Sequence, residues 1–420
     1  MIATKKSKLD SILIFYIFFY LFWGFLFRKT VFSTSIFVYV SFVLLVFSFA
    51  YFAIKYKCVL KCNISLTFLP FLLYILLRAF IEFKFEIFSY WFDCLLILYL
   101  GFSGVLIKLF PYKLIISFGI IALIGIAVQM VFSSFYNNYF ATLFVNANEI
   151  IAWEKGYGFS GFTYQIGTTA EILTVSEAVS VSLFYKTNKK KRFLLLTILF
   201  ILGIALTGKR TLFFVSIVIP LFIAWLLNKS DVKKIITCFV TILLLCLVYL
   251  LLLKTDILIK ASENPIFGRF AKTLLSFVEG HNSFEERSDL INAAVHLFLG
   301  EKLLGIGLGN FPLLSGFNTD VHNVYLQVLC ELGIVGFVLY LVPVATTLLY
   351  TFKVTNKTTN HRLVLSLFIQ LFYLLNGLTE NSNVNLLCFI LYFYSVSIVA
   401  NEQDTRLESF NYEKNVFNKI

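Results

Sequence analysis

Charge is the scarce commodity in this chain: of 420 residues only 14% are Asp, Glu, Lys or Arg, while 59% are apolar and 18% aromatic, for a mean hydropathy of +0.87. So few charged groups cannot coat a soluble fold of this size, and the composition demands lipid as solvent. Other absences narrow the class further. The chain has no obvious soluble domain, low-complexity segment or internal repeat. Its seven cysteines, at 58, 62, 94, 238, 246, 330 and 388, avoid the long segment Lys254 to Asp320, which excludes a disulfide framework there. Cys58 and Cys62 lack partnering histidines, and no Asp-x-Asp, His-x-x-x-His or cluster of acids at ligand spacing occurs. No bound metal and no cofactor is therefore expected.

What is present is a series of apolar runs, each near the roughly twenty residues that cross a bilayer as helix. They fall at Ser11–Phe27, Val31–Ile54, Ile64–Ile81, Ile87–Phe110, Leu114–Phe135, Gly167–Tyr185, Phe193–Thr207, Thr211–Leu227, Ile235–Leu253, Val321–Phe352, Leu363–Leu378 and Val384–Ala400. The expected fold is all-α and polytopic, with about twelve transmembrane helices. The first run has no small-residue cleavage site and is followed at once by another, so it reads as a retained span.

Orientation follows from Lys and Arg, which accumulate in cytoplasmic loops. One alternating set of gaps holds Lys5, Lys6, Lys8, Lys55, Lys57, Lys61, Lys108, Lys113, Lys186, Lys189–Arg192, Lys229, Lys233, Lys234, Lys353, Lys357 and Arg362. The other, outside the long segment, offers Arg28, Lys29, Arg78, Lys84, Lys155, Lys209 and Arg210. The basic set is assigned to the inside, so both termini are cytoplasmic. Segment 254–320, between spans nine and ten, is then an extracytoplasmic loop. The expected organisation is one transmembrane domain over 1–400 and a short polar tail over 401–420. The net charge of +12 is spread over many loops as a topology signal, so nucleic acid is not an expected partner.

Polar residues in a membrane protein are costly, so their depth is informative. Here they gather in the outer layer: Tyr157–Phe162, Thr207–Thr211, Glu286–Asp289, Gly305–Phe311, Val321–Tyr325 and Thr379–Asn383. Within the long loop, Asp289–Leu299 has the pattern of an amphipathic helix, with Leu290, Ala293, Ala294, Leu297 and Phe298 on one stripe. Such a helix would lie on the bilayer or over a cavity.

Arg210 stands out because only Gly208 to Arg210 separate two spans, against the positive-inside bias. It is either a snorkelling helix-end arginine or an anion ligand, and a permanently charged guanidinium forks well onto phosphate oxygens. Arg287, beside Glu285, Glu286 and Asp289, reads by itself as a surface ion-pair partner. His322 is a structural interfacial histidine or a general base near neutral pH. Glu331 lies nine residues on, so an ideal helix would put it on the face opposite His322. It reads as a hydrogen-bonding partner between helices. Gly333 and Gly336 read as a close helix contact. The glycines at 305, 307 and 309 follow no strand, which argues against a nucleotide cradle. Glu171 and Glu177 lie on the sixth span and would suit a transport pathway, or in the case of Glu171 the edge of an outer cavity.

Taken in order, these segments resemble the bacterial O-antigen ligases and Wzy-type polysaccharide polymerases. The resemblance rests on Tyr157 to Ile166, the Thr207-Gly208-Lys209-Arg210 hairpin, Glu286-Arg287 leading into a helix, Leu304–Phe311, His322-Asn323-x-x-Leu326, and Glu331-Leu332-Gly333-x-x-Gly336. It covers the second half of the chain. Tyr164-Gln165-Ile166 departs from the Pro-Asn of many relatives, so contacts there do not carry over. The resemblance implies a GT-C-like, metal-independent inverting glycosyltransferase of the cytoplasmic membrane, acting on glycans carried by undecaprenyl diphosphate. It implies Arg210 and Arg287 as holders of the diphosphate, with Arg287 and His322 the catalytic pair and His322 the acceptor's base. Lys209, Asn323 and Glu171 are the further substrate-binding candidates. A polymerase of repeat units for O-antigen, capsule or exopolysaccharide, with a chain-length regulator as a candidate partner, is the leading expectation. The rival is a ligase that transfers finished glycan, as in lipopolysaccharide, to lipid A core or another acceptor. A flippase or other transporter would need paired halves and mid-membrane polar residues.

Overall fold

The computed structural model of the protein describes residues 8–16, 43, 46–48, 50–55, 64–83, 111–141, 158–163, 165–187, 190–240, 243, 255–263, 271, 272, 275, 283–357, 360–380 and 391–402. Among them every regular element is helical. The principal helices are α1 (Leu69–Ile81), α2 (Tyr112–Val131), α3 (Ile166–Lys186), α4 (Lys190–Leu206), α5 (Arg210–Leu227), α6 (Ser283–Gly300), α7 (Val324–Thr355) and α8 (His361–Asn376). Six expected spans coincide, within a few residues, with α1, α2, α3, α4, α5 and α8. The expected span Ile87–Phe110 lies outside the described residues, as do most of Val31–Ile54 and Ile235–Leu253. Among the described residues three helices, α2, α5 and α7, are long and apolar enough to cross a membrane, and the chain is an integral membrane protein.

The bundle is built inside out relative to a soluble one. Helix α3 is its centre, packed by α2, α4, α8 and α5, and every residue from Thr168 to Ser182 is buried. Yet α3 is rich in Ser, Thr and Glu, whereas the more apolar α2 leaves Ile120, Ile121, Ile124 and Val131 exposed, as a lipid-facing wall requires. Hydroxyls on α3 are satisfied locally: Ser176 donates to Ile172 O (2.8 Å) and Ile115 O (2.9 Å), and Ser180 donates to Phe193 O (2.8 Å). Small residues set the spacing. A Cβ at Gly119 would fall 2.5 Å from the Ser176 side chain and 2.8 Å from Phe200, so α2, α3 and α4 approach only because that side chain is missing.

The tenth span departs from expectation. A continuous helix from 324 to 355 would be about 48 Å long at 1.5 Å per residue, well beyond the roughly 30 Å hydrocarbon core. It is broken at Gly333, whose φ of 66° and ψ of −170° are not helical. Residues 334–355 then make a helix of about 33 Å, a bilayer's thickness. The glycine-rich segment threads the break. Ile306 N donates to Cys330 O and Gly307 N to Glu331 O, both at 3.0 Å, while Ile334 N donates to Lys302 O (2.9 Å) and Val335 N to Leu303 O (3.3 Å). Tyr74 of α1 donates to the Leu332 carbonyl (3.3 Å). Backbone groups released by the break are thus paired, as the interior of a membrane protein demands.

Two readings are corrected here. Gly333 is a backbone hinge rather than a helix-contact residue, and of the pair only Gly336 sits at a helix approach, 3.2 Å from the Tyr74 ring if it carried a Cβ. His322 is not on the helix at all: α7 starts at Val324 with Asn323 as N-cap, so the helical-face argument separating His322 from Glu331 does not apply.

Candidate active site

Five chain segments deliver polar side chains to one end of the bundle, the end that the charge pattern assigns to the outside. The first is the α4–α5 hairpin. Phe159 N donates to Leu206 O (3.1 Å), and a Cβ at Gly158, whose φ is 135°, would collide with the Thr207 carbonyl. Gly161 N in turn donates to Gln129 Oε1 on α2 (2.8 Å), and Tyr136 donates to Gly161 O. The glycine-containing stretch before α3 is therefore a brace that fixes the Thr207–Arg210 hairpin; Tyr157 and Tyr164 lie outside the described residues.

From this hairpin Lys209 reaches over the N-terminus of α3, where a Cβ at Gly167 would lie 3.2 Å from Lys209 Cε. Lys209 Nζ ends 2.7 Å from Glu380 Oε1, just beyond α8. The other oxygen, Glu380 Oε2, lies 3.7 Å from His322 Nδ1, in ion-pair range. Burial would push the Glu380 carboxyl up, but Lys209 and His322 outweigh it and hold the group down at about 2. Glu380 was not among the residues singled out from sequence, although Thr379–Asn383 was placed in the outer layer. Its only sequence signal is an acid directly after a span, which does not say what it faces.

His322 is held in a sparsely populated backbone region, with φ of 54°. Its neighbours over-determine that conformation. Val321 N donates to Gln327 Oε1 (3.0 Å), Asn323 Oδ1 accepts from Leu326 N (3.0 Å), Asn323 Nδ2 donates to Leu378 O (3.2 Å), and Val324 N donates to Gly377 O (2.8 Å). Such strain, of order 1–3 kcal/mol, persists only where surrounding contacts compel it. The His322 side chain stays 40% exposed, so the clamp grips the backbone and leaves the ring open. Asn323, a substrate-binding candidate from sequence, has its amide engaged by the cap and by Leu378.

Gln327 also donates to Glu331 Oε1 (2.7 Å), and Glu331 accepts from Phe311 N (3.3 Å). Glu331 thus ties the end of the glycine-rich segment to α7, and the histidine segment and the glycine-rich segment share one buried polar anchor. Gln327 escaped the sequence reading because a single amide inside an apolar run gives no signal.

Helix α6 begins at Ser283, six residues earlier than the amphipathic pattern alone suggests, so Arg287 lies on the helix rather than before it. Leu290 and Ala294 are buried with Phe311, Val321 and Cys330, and Ala293 and Leu297 pack beside them. That seam docks α6 on α7. Arg287 is exposed near the start of α6, and Arg210 opens α5. The structure therefore brings together Lys209, Glu380 and His322. Glu171 is buried about 8 Å along α3 from Ile166. Glu177 is deeper, fully buried, with no hydrogen-bond partner for either carboxylate oxygen.

The Glu380 pair makes a prediction of its own. A carboxyl depressed in the folded state contributes stability above its ordinary value of 4.5, and loses it as pH falls towards about 2. Glu380→Gln is expected to cost about 1.5–3 kcal/mol near neutral pH, the usual worth of hydrogen bonds to charged groups. Thermal unfolding of the detergent-solubilised protein should show the gap between variant and wild type closing over the window from 4.5 down to about 2. A gap that is constant with pH would rule out the ion pair as its source.

Residues 195–341 match the family model described as O-antigen ligase. The match opens in α4, contains the Lys209–Arg210 hairpin, Arg287, the glycine-rich segment and His322, and closes just after the break in α7. No curated protein matches the chain at a significant level.

Proposed function

We propose, from the match of residues 195–341 to the O-antigen ligase family model, that the protein is a polysaccharide polymerase acting on lipid-linked glycans. It joins oligosaccharide repeat units on undecaprenyl diphosphate at the outer face of the cytoplasmic membrane, within a bundle of about twelve spans. The observation that carries the reading is a histidine, His322, whose side chain is 40% exposed and whose Nδ1 lies 3.7 Å from Glu380 Oε2, with Lys209 on the other carboxylate oxygen, beside the start of α5 at Arg210.

The chemistry these residues supply is a single in-line displacement. The donor's anomeric carbon–oxygen bond to the diphosphate breaks as the acceptor hydroxyl oxygen attacks that carbon, and configuration inverts. His322, with Nδ1 turned to Glu380, presents Nε2 to the acceptor and takes the hydroxyl proton. Glu380 holds the ring in place and stabilises the imidazolium that forms. Arg210 and Arg287 meet the negative charge that grows on the departing lipid diphosphate, which is where fixed cations lower a barrier most. Lys209 is divided between this anion and Glu380. The lipid diphosphate is an activated leaving group, so the residues need supply only positioning, charge and a base.

A ligase is the second reading, favoured by the description of the matched family. Deleting the gene separates the readings. Single-repeat glycan at the surface is the outcome expected of a lost polymerase, and long glycan stranded on its lipid carrier that of a lost ligase. Repeat units trapped inside the cell would instead identify a transporter and remove the catalytic assignment.

A further inference from the structure

The end of the bundle opposite Glu380, which the charge pattern assigns to the cytoplasm, carries a second polar cluster that the site above does not use. Helix α3 ends there at Lys186, α2 begins at Tyr112, and α8 begins with His361 and Arg362. Ser182, one turn before Lys186, donates to the His361 carbonyl (2.7 Å) and so fixes the start of α8 against the end of α3. The three helices converge on one ring. Lys186 Nζ lies 5.5 Å from the centre of the Tyr112 ring, and the His361 ring stands 6.2 Å from it, tilted by 42°. Arg362 follows on the same turn, its backbone N–H held by Asn360 Oδ1 (3.0 Å).

Among the described residues no carboxylate forms an ion pair with Lys186, His361 or Arg362. His361 Nε2 and Arg362 Nε are both shielded from solvent and both without a hydrogen-bond partner. A cation that only marks topology stands in water, as the exposed Lys191 and Arg192 nearby do. His361 and Arg362 instead are half-buried, and a charged or polar group withdrawn from water is costly until an acceptor reaches it. What rises from the cluster is apolar. On α2 the row that starts at Tyr112 continues at four-residue spacing through Ile116, Ile120 and Ile124, and Ile120 and Ile124 are 39% and 51% exposed.

We propose that the inner ends of α2, α3 and α8 bind an anionic membrane phospholipid, with its phosphate shared by Lys186 and Arg362 and its acyl chains along the row from Ile116 to Ile124. A guanidinium forks onto phosphate oxygens and an ammonium adds a point charge, and a basic pocket between helix ends on the cytoplasmic side suits a lipid head group. The apolar row favours a lipid over a free phosphate. A zwitterionic head group would bring its own cation to a place that already holds two. Bound there, the lipid ties together three helices, two of which lead at their far ends to Lys209 and Glu380. The inference stands apart from the glycosyl-transfer reading.

The test follows lipid binding to the full-length protein in detergent, by native mass spectrometry and thermal unfolding, with phosphatidylglycerol, phosphatidylcholine and inorganic phosphate as probes. Phosphatidylglycerol is expected to bind the wild type and raise its melting temperature, and the other two to do neither. The variant Lys186→Gln, Arg362→Gln should lose roughly thirtyfold in phosphatidylglycerol affinity, the worth of two basic residues at an anionic lipid. Lys191→Gln, Arg192→Gln removes the same charge from exposed positions at the same end and should lose less than about threefold. Equal losses in the two variants would mean a diffuse basic surface, and an equal response to phosphate or phosphatidylcholine would mean that no anionic lipid is selected. Either result overturns the proposal. If the first variant fails to fold, Lys186→Gln alone decides, since that side chain is exposed: a loss of roughly fivefold supports the site, and unchanged affinity overturns it.

Discussion

Replacing His322 or Arg287 with alanine is expected to abolish glycan chain extension while the protein still reaches the membrane at normal levels. Loss of a positioned base costs typically about 10²–10⁴ in rate. Loss of a fixed cation from the developing charge costs a comparable about 10²–10³. Arg287 is exposed, the His322 side chain is 40% exposed, and neither takes part in the apolar seam that docks α6, so the loss should appear in activity rather than in folding. Arg287→Lys should recover only part of the rate, since an ammonium keeps the charge but not the two-pronged geometry. Surface glycan ladders from complemented deletion strains, with membrane immunoblots beside them, provide the measurement. Normal ladders from both alanine variants would end the catalytic assignment.

The second large effect concerns the backbone. Gly333→Ala is expected to remove most folded protein from the membrane. Its φ and ψ of 66° and −170° lie in a region essentially reserved for glycine, and a Cβ there would strike the Leu303 carbonyl carbon and oxygen. The backbone conformation alone costs about 1–3 kcal/mol. Relieving the clash would also undo the hydrogen bonds between 302–307 and the break, which hold the glycine-rich segment in α7. Gly300→Ala is the control: a Cβ there meets nothing within 4 Å, and alanine in a helix is neutral to favourable. Size-exclusion profiles and melting temperatures of the two variants in detergent should diverge sharply. A well-folded Gly333→Ala protein would show that the break is not a fixed part of the fold.

The two predictions differ in how far sequence alone could have reached them. His322 and Arg287 were visible as rare polar groups in a greasy chain, because a charge near lipid demands an explanation that a charge in water does not. Their grouping was visible only through resemblance. The break at Gly333 was not visible, since Glu331-Leu332-Gly333-Ile334-Val335-Gly336 is as compatible with a continuous helix as with an interrupted one. The nearest sequence hint was length: Val321–Phe352 is too long for one span, and α7 resolves that excess by a hinge. Glu380 and Gln327 were hidden for a different reason. Their roles come from partners 171, 58 and 6 residues away, Lys209, His322 and Val321, and no local pattern encodes such a meeting.

What the sequence determined by itself is the solvent, the element type and the end at which polar side chains gather. These follow from hydropathy, from run length and from the bias of Lys and Arg, all of which are local or additive quantities. The amphipathic stripe of α6 belongs in the same class, since it is a period read along one segment. Only the tertiary structure decided that the three glycines of 305–309 serve the broken helix and that Asn323 is a cap. It alone placed a carboxylate behind His322 and brought Lys186 and His361 to one ring. Each of these depends on which segments meet across the bundle. Those meetings are set by side-chain volume, by backbone hydrogen bonding at the break and by paired charge, summed over residues far apart in the chain.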